Sequence, residues 1–282
     1  MRSKIRGTDI VVSIIIYLIL IINTIVVVYP LLWNVFTSFK TNTEILENPW
    51  YLPKGLNLIN YINAFTKAKI GYYSVNSVLV TVLSIIILLF LSVSSSYVLG
   101  RYKFRLNNLI NNIYMCGIFI QSIFIVIPLY LMMSSLNMDD NRFWISVVYA
   151  VLQLPFSIYL LTSYMKTIPR EYEDSAMIDG CGHLGTLIKI IVPLAKPGII
   201  TITIFGFFSF WNEFPLALTL LSSEEKKTLP IGLANLMEIQ RYATDWGALF
   251  AGLVIVLVPT VVIYSLTQRK LTSGMQMGGI KG

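Results

Sequence analysis

The run IGYYSVNSVLVTVLSIIILLFLSVSSSYVLG (70–100) contains no charged residue and lies between Lys69 and Arg101. It exceeds the roughly 20 residues that a helix needs to cross a hydrocarbon core. In lipid every backbone N–H and C=O must be satisfied within the segment, so an isolated run of this length reads as a helix. Working outward, further uncharged runs cover 10–39, 106–138, 143–165 and 246–268, and 197–223 is interrupted only by Glu213. The pattern predicts six spanning helices, roughly 10–34, 73–99, 109–133, 143–165, 199–221 and 247–267. The expected fold is an all-α membrane protein.

Composition supports this. The chain has 282 residues, 56% hydrophobic and only 12% charged, with a mean hydropathy of +0.72. A soluble domain carries about a quarter charged residues, so disordered and fibrous classes are excluded and a soluble enzyme is disfavoured. Two cysteines, Cys116 and Cys181, are too few for a disulfide scaffold. Arg2, Lys4 and Arg6 precede the first run as in a signal peptide. That run is too long for one and lacks a small-residue cleavage site, so an uncleaved first span is expected.

The net charge of +7 belongs at a membrane surface rather than on nucleic acid. Cations concentrate in the N-terminus, the 101–105 and 166–196 loops and the tail, which together hold 13 of the 21 Lys and Arg. Loops 37–72, 135–142 and 222–245 hold the other 8, balanced by as many acids. The positive-inside rule places both termini in the cytoplasm. In the outer loop 37–72, Pro49 and Pro53 restrict the backbone, and Trp50 and Tyr51 suit the membrane interface. This loop is a lid over helix ends or a partner contact. Loop 222–245 carries the apolar set Leu229, Ile231, Leu233, Leu236 and Met237 and predicts a short helix, either a packed lid or an element entering a partner.

The cytoplasmic loop KTIPREYEDSAMIDGCGHLGTLIKIIVPLAKPG (166–198) is the most informative. Pro169 suits a helix start, and Glu171, Glu173 and Asp174 complement the positive end of the dipole. Gly180 supplies a stop. Leu184, Leu187, Ile188 and Ile191 then recur at helical spacing, predicting a second helix with one apolar face, ended by Pro193. The expected unit is an acidic helix, a glycine turn and an amphipathic helix that presents charge to a cytosolic partner.

Asp174-Ser175-Ala176, followed by Ile178-Asp179-Gly180 and Ile190-Ile191-Val192-Pro193, resembles the EAA loop of ABC-importer permeases, with Asp for the leading Glu and Ser for the first Ala. Phe-Trp-Asn-Glu-Phe (210–214) and the tail Gly278-Gly279-Ile280-Lys281-Gly282 look like the carbohydrate-uptake, MalG-type branch, as do six spans and a short N-terminus. The resemblance implies a type I permease domain over 73–265, preceded by a first span and outer loop (1–72) and followed by a cytoplasmic tail (266–282) in a bacterial inner membrane. It implies a subunit that hydrolyses nothing and binds no cofactor or metal itself. ATP and Mg would be held by two cytoplasmic ABC ATPase subunits. The other partners would be a MalF-type permease, an extracytoplasmic sugar-binding protein, a sugar and membrane lipid. By the same resemblance Glu171, Glu173, Asp174, Ser175, Ala176, Asp179 and Gly180 would dock on an ATPase. Gly278, Gly279 and Lys281 would reach between the ATPases. The tail itself, rich in glycine, is expected to be too flexible for a stable helix.

Other candidates are weaker. Gly180 and Gly185 have P-loop spacing, but Thr186-Leu187 stand where Lys-Ser/Thr is required. His183 is the only histidine, which removes His-based metal clusters, and its expected role is a solvated loop residue. Glu213 is an ionisable group within a span and therefore a functional candidate. Pro215 behind it breaks the helix ladder. Trp211 stacking on a sugar with Asn212 and Glu213 bonding its hydroxyls is one reading; a structural anchor or gate contact is the other. Gln121 and Gln153 are further polar span residues, accounted for equally by packing. The alternative class, a self-contained secondary transporter or channel, would need more intramembrane charge than Glu213 supplies.

Overall fold

A computed structural model describes residues 7–66, 69–239 and 245–279, with side chains described over 12–66, 69–237 and 245–268. The helices in chain order are α1 (Gly7–Thr37), α2 (Asn42–Glu47), α3 (Ile59–Thr66), α4 (Ile70–Arg101), α5 (Asn107–Gly117), α6 (Ser122–Ser135) and α7 (Arg142–Thr167). There follow α8 (Glu171–Ile178), α9 (His183–Thr186), a π-helical segment Leu187–Ile191, α10 (Val192–Leu194) and α11 (Lys196–Trp211). The last are α12 (Pro215–Leu220), a 3-10 turn Glu224–Lys226, α13 (Leu229–Ile239) and α14 (Trp246–Gly279). The described residues contain no strand.

Helices α1, α4, α7 and α14 are long and apolar enough to cross a membrane, matching four of the six expected spans. The third is not one straight helix: α5 and α6 meet at 103°. Gly117 ends α5 at Pro155 of α7, whose ring carbon would lie 2.9 Å from a Cβ there. The fifth is interrupted at 212–214, where Pro215 restarts the chain as α12.

The chain forms two compact units, one of residues 1–69 and 235–257, the other of 70–234 and 258–282. In the first, the segment 37–66 is folded upon itself. Asn60 donates to the Ser38 and Lys40 carbonyls (2.8 and 2.7 Å), and Trp33 and Lys40 both donate to the Pro49 carbonyl. A Cβ on Gly247 would stand 2.4 Å from the Asn60 side chain, so only glycine admits this approach. Thr41 and Glu44 form a reciprocal capping box on α2. Burial lowers the pKa of Lys40 from its ordinary value, partly offset by Glu44. Trp50 and Tyr51 are exposed.

The second unit is built on α4 against α7. Ser84, Ser92 and Ser96 of α4 and Ser146 and Ser157 of α7 have no exposed surface. Such small side chains let the two backbones approach, as Gly100 does at the Thr162 carbonyl. Two apolar clusters result. One gathers Leu88, Ile145, Tyr149, Phe210 and Leu216; the other gathers Leu161, Met165, Leu187, Ile191 and Ile202, joining α7 to the segments after α9.

Just before α7, Asp140 receives Ser222 and Ser223 backbone N–H groups and the Lys226 ammonium at 2.7 Å. Burial alone would raise the Asp140 carboxyl; bonds from Lys226 and Ser223 and the Lys226 charge instead hold it well below the usual carboxylate range. Asn76 donates to the Glu225 and Lys227 carbonyls, Tyr73 to Glu224, and Ser77 receives the Leu229 N–H. The loop helix expected in 222–245 is present as α13. Leu229 and Ile231 are buried, and Gly232 sits so close to the Tyr73 ring that a Cβ would overlap it.

The tail departs from expectation. Helix α14 continues through Gly278 and Gly279. Once a helix exists, each added residue gains a backbone bond, which offsets the cost of about 1 kcal/mol per glycine. Lys281 lies outside the described residues.

Candidate coupling loop and membrane cavity

Helix α8 begins after Pro169, with Glu171, Glu173 and Asp174 in its first turn. It ends in a Schellman motif: Cys181 N–H reaches the Ala176 carbonyl (2.9 Å) and Gly180 N–H the Met177 carbonyl (3.1 Å). Gly180 adopts φ +78°, the left-handed conformation this motif requires.

The acids on α8 do not act as one group. Glu171, Asp174, Ser175 and Asp179 are exposed, whereas Glu173 and Ala176 are buried. Glu173 was expected among the docking acids; it faces inward because its position, three before Ala176, shares the inner helix face. Its Oε2 accepts both Nε (2.9 Å) and Nη2 (2.6 Å) of Arg101, the last residue of α4. Arg101 also donates from Nη1 to the carbonyls of Met165 (3.0 Å) and Ile168 (2.7 Å) at the end of α7. One buried guanidinium thus joins α4, α7 and α8. Sequence reasoning missed this role, although Arg101 is the first charge after the 70–100 run.

The second half of the loop is also partly turned inward. Leu187 and Ile191 are buried, but Leu184 and Ile188 are 75% and 64% exposed. The expected helix does not stop at Pro193. A π segment at 187–191 precedes it, in which the Val192 N–H reaches the Leu187 carbonyl, and the helical backbone runs on through Pro193. His183 accepts or donates at Nδ1 with the Tyr102 hydroxyl (2.8 Å), tying α9 to the end of α4.

Within the membrane, a cavity of about 590 Å³ is lined by Ser122, Gln153, Phe156, Phe208, Ser209 and Glu213, among others. The Glu213 carboxylate accepts Leu216 N–H (2.8 Å), Ala217 N–H (2.9 Å) and the Tyr149 hydroxyl (2.6 Å). A carboxylate at the positive end of α12 caps the helix that Pro215 restarts. Trp211 is buried and stacked on Phe207 with centroids 5.7 Å apart, which leaves no ring face for a sugar. Asn212 is exposed and donates to the Phe208 carbonyl (2.9 Å). The three residues therefore do not converge on one ligand-facing surface.

Residues 92–275 match the family model of binding-protein-dependent transport system inner membrane components. The chain is 33% identical over 259 residues to the diacetylchitobiose uptake system permease protein NgcG of Streptomyces coelicolor, covering 92% of this chain and 86% of that one. It is 34% identical over 256 residues to the sulfoquinovosyl glycerol transport system permease protein SmoH of Agrobacterium fabrum, covering 90% and 89%. In structure it resembles a chain of a bacterial ABC transporter involved in the import of alginate, with a TM-score of 0.85, 23% identity, and coverage of 94% and 98%. That likeness establishes the type I importer fold. With a family model over most of the second unit and relatives spanning nearly its whole length, the chain belongs to the inner-membrane permease components of binding-protein-dependent ABC importers.

Proposed function

We propose that the chain is one of two permease subunits of an oligosaccharide importer, driven by cytoplasmic ATPases that dock on loop 166–198. The observation that carries this reading is the two-sided loop. Its inner side is fastened to α4 and α7 through Arg101 and Glu173. Its outer side presents Glu171, Asp174 and Asp179 beside Ile178 and Leu184, 85% and 75% exposed. An exposed patch of acids and large apolar side chains outside the membrane spans is what a protein partner covers. Displacement of such a partner would move α4 and α7 through the buried ion pair, the two-state form that a coupling claim requires.

The sugar class rests on relatives named for diacetylchitobiose, sulfoquinovosyl glycerol and arabinooligosaccharides. ATP and Mg belong to the ATPases, and an extracytoplasmic binding protein would deliver the sugar to the outer end. The cation-rich loops support cytoplasmic termini. The tail with Gly278, Gly279 and Lys281 would extend between the ATPases. Glu213 and Tyr149 would shape the membrane cavity as structural members of the pathway.

The test is Asp174→Lys combined with Asp179→Lys, both exposed and free of the ion pair. ATP-driven oligosaccharide uptake is expected to be abolished, and the ATPase to be lost on purification, while membrane abundance is unchanged. Normal uptake with the ATPase retained would refute the docking role.

A further inference from the structure

A second cavity, of about 370 Å³, lies between α5 and α7 and is lined by Asn108, Asn112, Tyr159, Ser163 and Lys166, among others. The size falls in the range of ligand pockets, about 300–1,000 Å³. Asn108 and Asn112 stand one turn apart on α5, so both amides serve the same face. Neither has a side-chain hydrogen bond among the described residues, unlike Asn107 and Asn111, which are bonded to backbone. Lys166 and the Tyr159 hydroxyl are likewise without a partner there, and half of Tyr159 is exposed.

The two cavities share one helix. Gln153 and Phe156 line the first, and Tyr159, Ser163 and Lys166 line the second. These positions recur every three or four residues and occupy one face of α7. At 1.5 Å per residue, Gln153 and Lys166 are about 20 Å apart along the helix, a large part of the hydrocarbon thickness.

We propose that the α5–α7 groove is a carbohydrate-binding subsite at the cytoplasmic end of the pathway, which receives the sugar as it leaves the outer cavity. This rests on the oligosaccharide reading given above. The chemistry fits a polyhydroxylated ligand. Each amide both donates and accepts, matching the paired donor and acceptor character of neighbouring hydroxyls. The exposed Tyr159 ring offers an apolar face for a pyranose, and Lys166 adds donors at the exit. An anionic lipid headgroup is matched instead by clustered cations, and this groove contains Lys166 alone among its named lining residues.

The experiment uses the assembled importer in nanodiscs and proteoliposomes, with labelled N,N′-diacetylchitobiose and arabinotriose as probes. Transport of neither sugar by the wild type would sink the oligosaccharide reading itself. Given transport, the Asn108→Ala/Asn112→Ala variant is expected to lower sugar delivered per ATP hydrolysed about fivefold, with Asn112→Gln milder. In a second arm, Ser163→Cys is placed in a Cys116→Ser/Cys181→Ser background and labelled with a maleimide from the cytoplasmic side. The transported sugar should slow labelling at least threefold, whereas changing the phosphatidylglycerol content should not. An unchanged ratio of sugar to ATP overturns the subsite. So does labelling that responds to lipid composition but not to sugar, and this arm decides the matter if the double variant fails to assemble.

Discussion

Replacing Arg101 by alanine tests the loop architecture most directly. The variant leaves the Glu173 carboxylate, within an ion pair whose side chains are 4% and 11% exposed, without its cation. It also deprives the Met165 and Ile168 carbonyls of a donor. Breaking a buried pair by removing one partner costs about 3–5 kcal/mol. At about 1.4 kcal/mol per tenfold change, the population with α8 detached from α4 and α7 should rise by roughly two to three and a half orders of magnitude. Lys166 and Arg170 flank this junction and are exposed, so limited trypsin digestion reads that population when opening is fast relative to cleavage. Glu173→Gln should accelerate digestion less, because Arg101 retains its carbonyl partners. The charge-swapped pair Arg101→Glu/Glu173→Arg should not recover, since a guanidinium on α8 no longer caps α7. Digestion of Arg101→Ala within threefold of the wild type would refute the junction.

Gly180→Val should weaken the loop by about 1–2 kcal/mol, because the penalty is the left-handed backbone itself; no atom lies within 4 Å of the added Cβ. Gly180→Asn should be milder, with uptake and trypsin sensitivity as readouts. Glu213→Ala should lower the unfolding temperature by removing the cap from two α12 N–H groups and the partner of Tyr149, at about 1–3 kcal/mol per unsatisfied buried group, while Glu213→Gln retains part of it. The Asp140 clamp gives a pH dependence of known sign. A depressed folded-state carboxylate contributes stability that is complete above its unfolded value of 3.8 and is lost as pH falls through the folded one. Thermal unfolding should therefore show no Asp140-dependent change from pH 8 to 5, and Asp140→Asn should be destabilised throughout that range. A wild-type loss near pH 6 that disappears in Asp140→Asn would contradict this.

Much of this architecture is legible in one dimension because lipid imposes simple rules. Charge-free runs located the spans, Gly180 marked the end of α8, and Pro215 marked the break after Glu213. What escaped was three-dimensional. Glu173 and Asp174 are adjacent acids with the same dipole preference, and only their positions around α8 separate the one that pairs internally from the one left exposed. At the α5–α6 bend Gly117 meets Pro155 across a helix interface, a contact that no local pattern contains. Trp211 and Asn212 were grouped with Glu213 by proximity in sequence, but the end of α11 turns them in different directions. Glycine content and the lack of apolar residues to bury argue against a helical tail only in the absence of the nucleus that α14 provides.

Helix α4 has one more consequence. Unlike α1, α7 and α14 it contains no proline, and at 32 residues it is about 48 Å long. Its N-terminal end is knotted to 224–229 by Tyr73, Asn76 and Ser77, and its C-terminal end is pinned to α7 and α8 by Arg101. It is therefore a rigid strut with a joint at each end. A push on the 222–229 loop and a pull on the 166–198 loop are displacements of a single bar, so a hinge engineered at its midpoint would let each end move while the other stayed still.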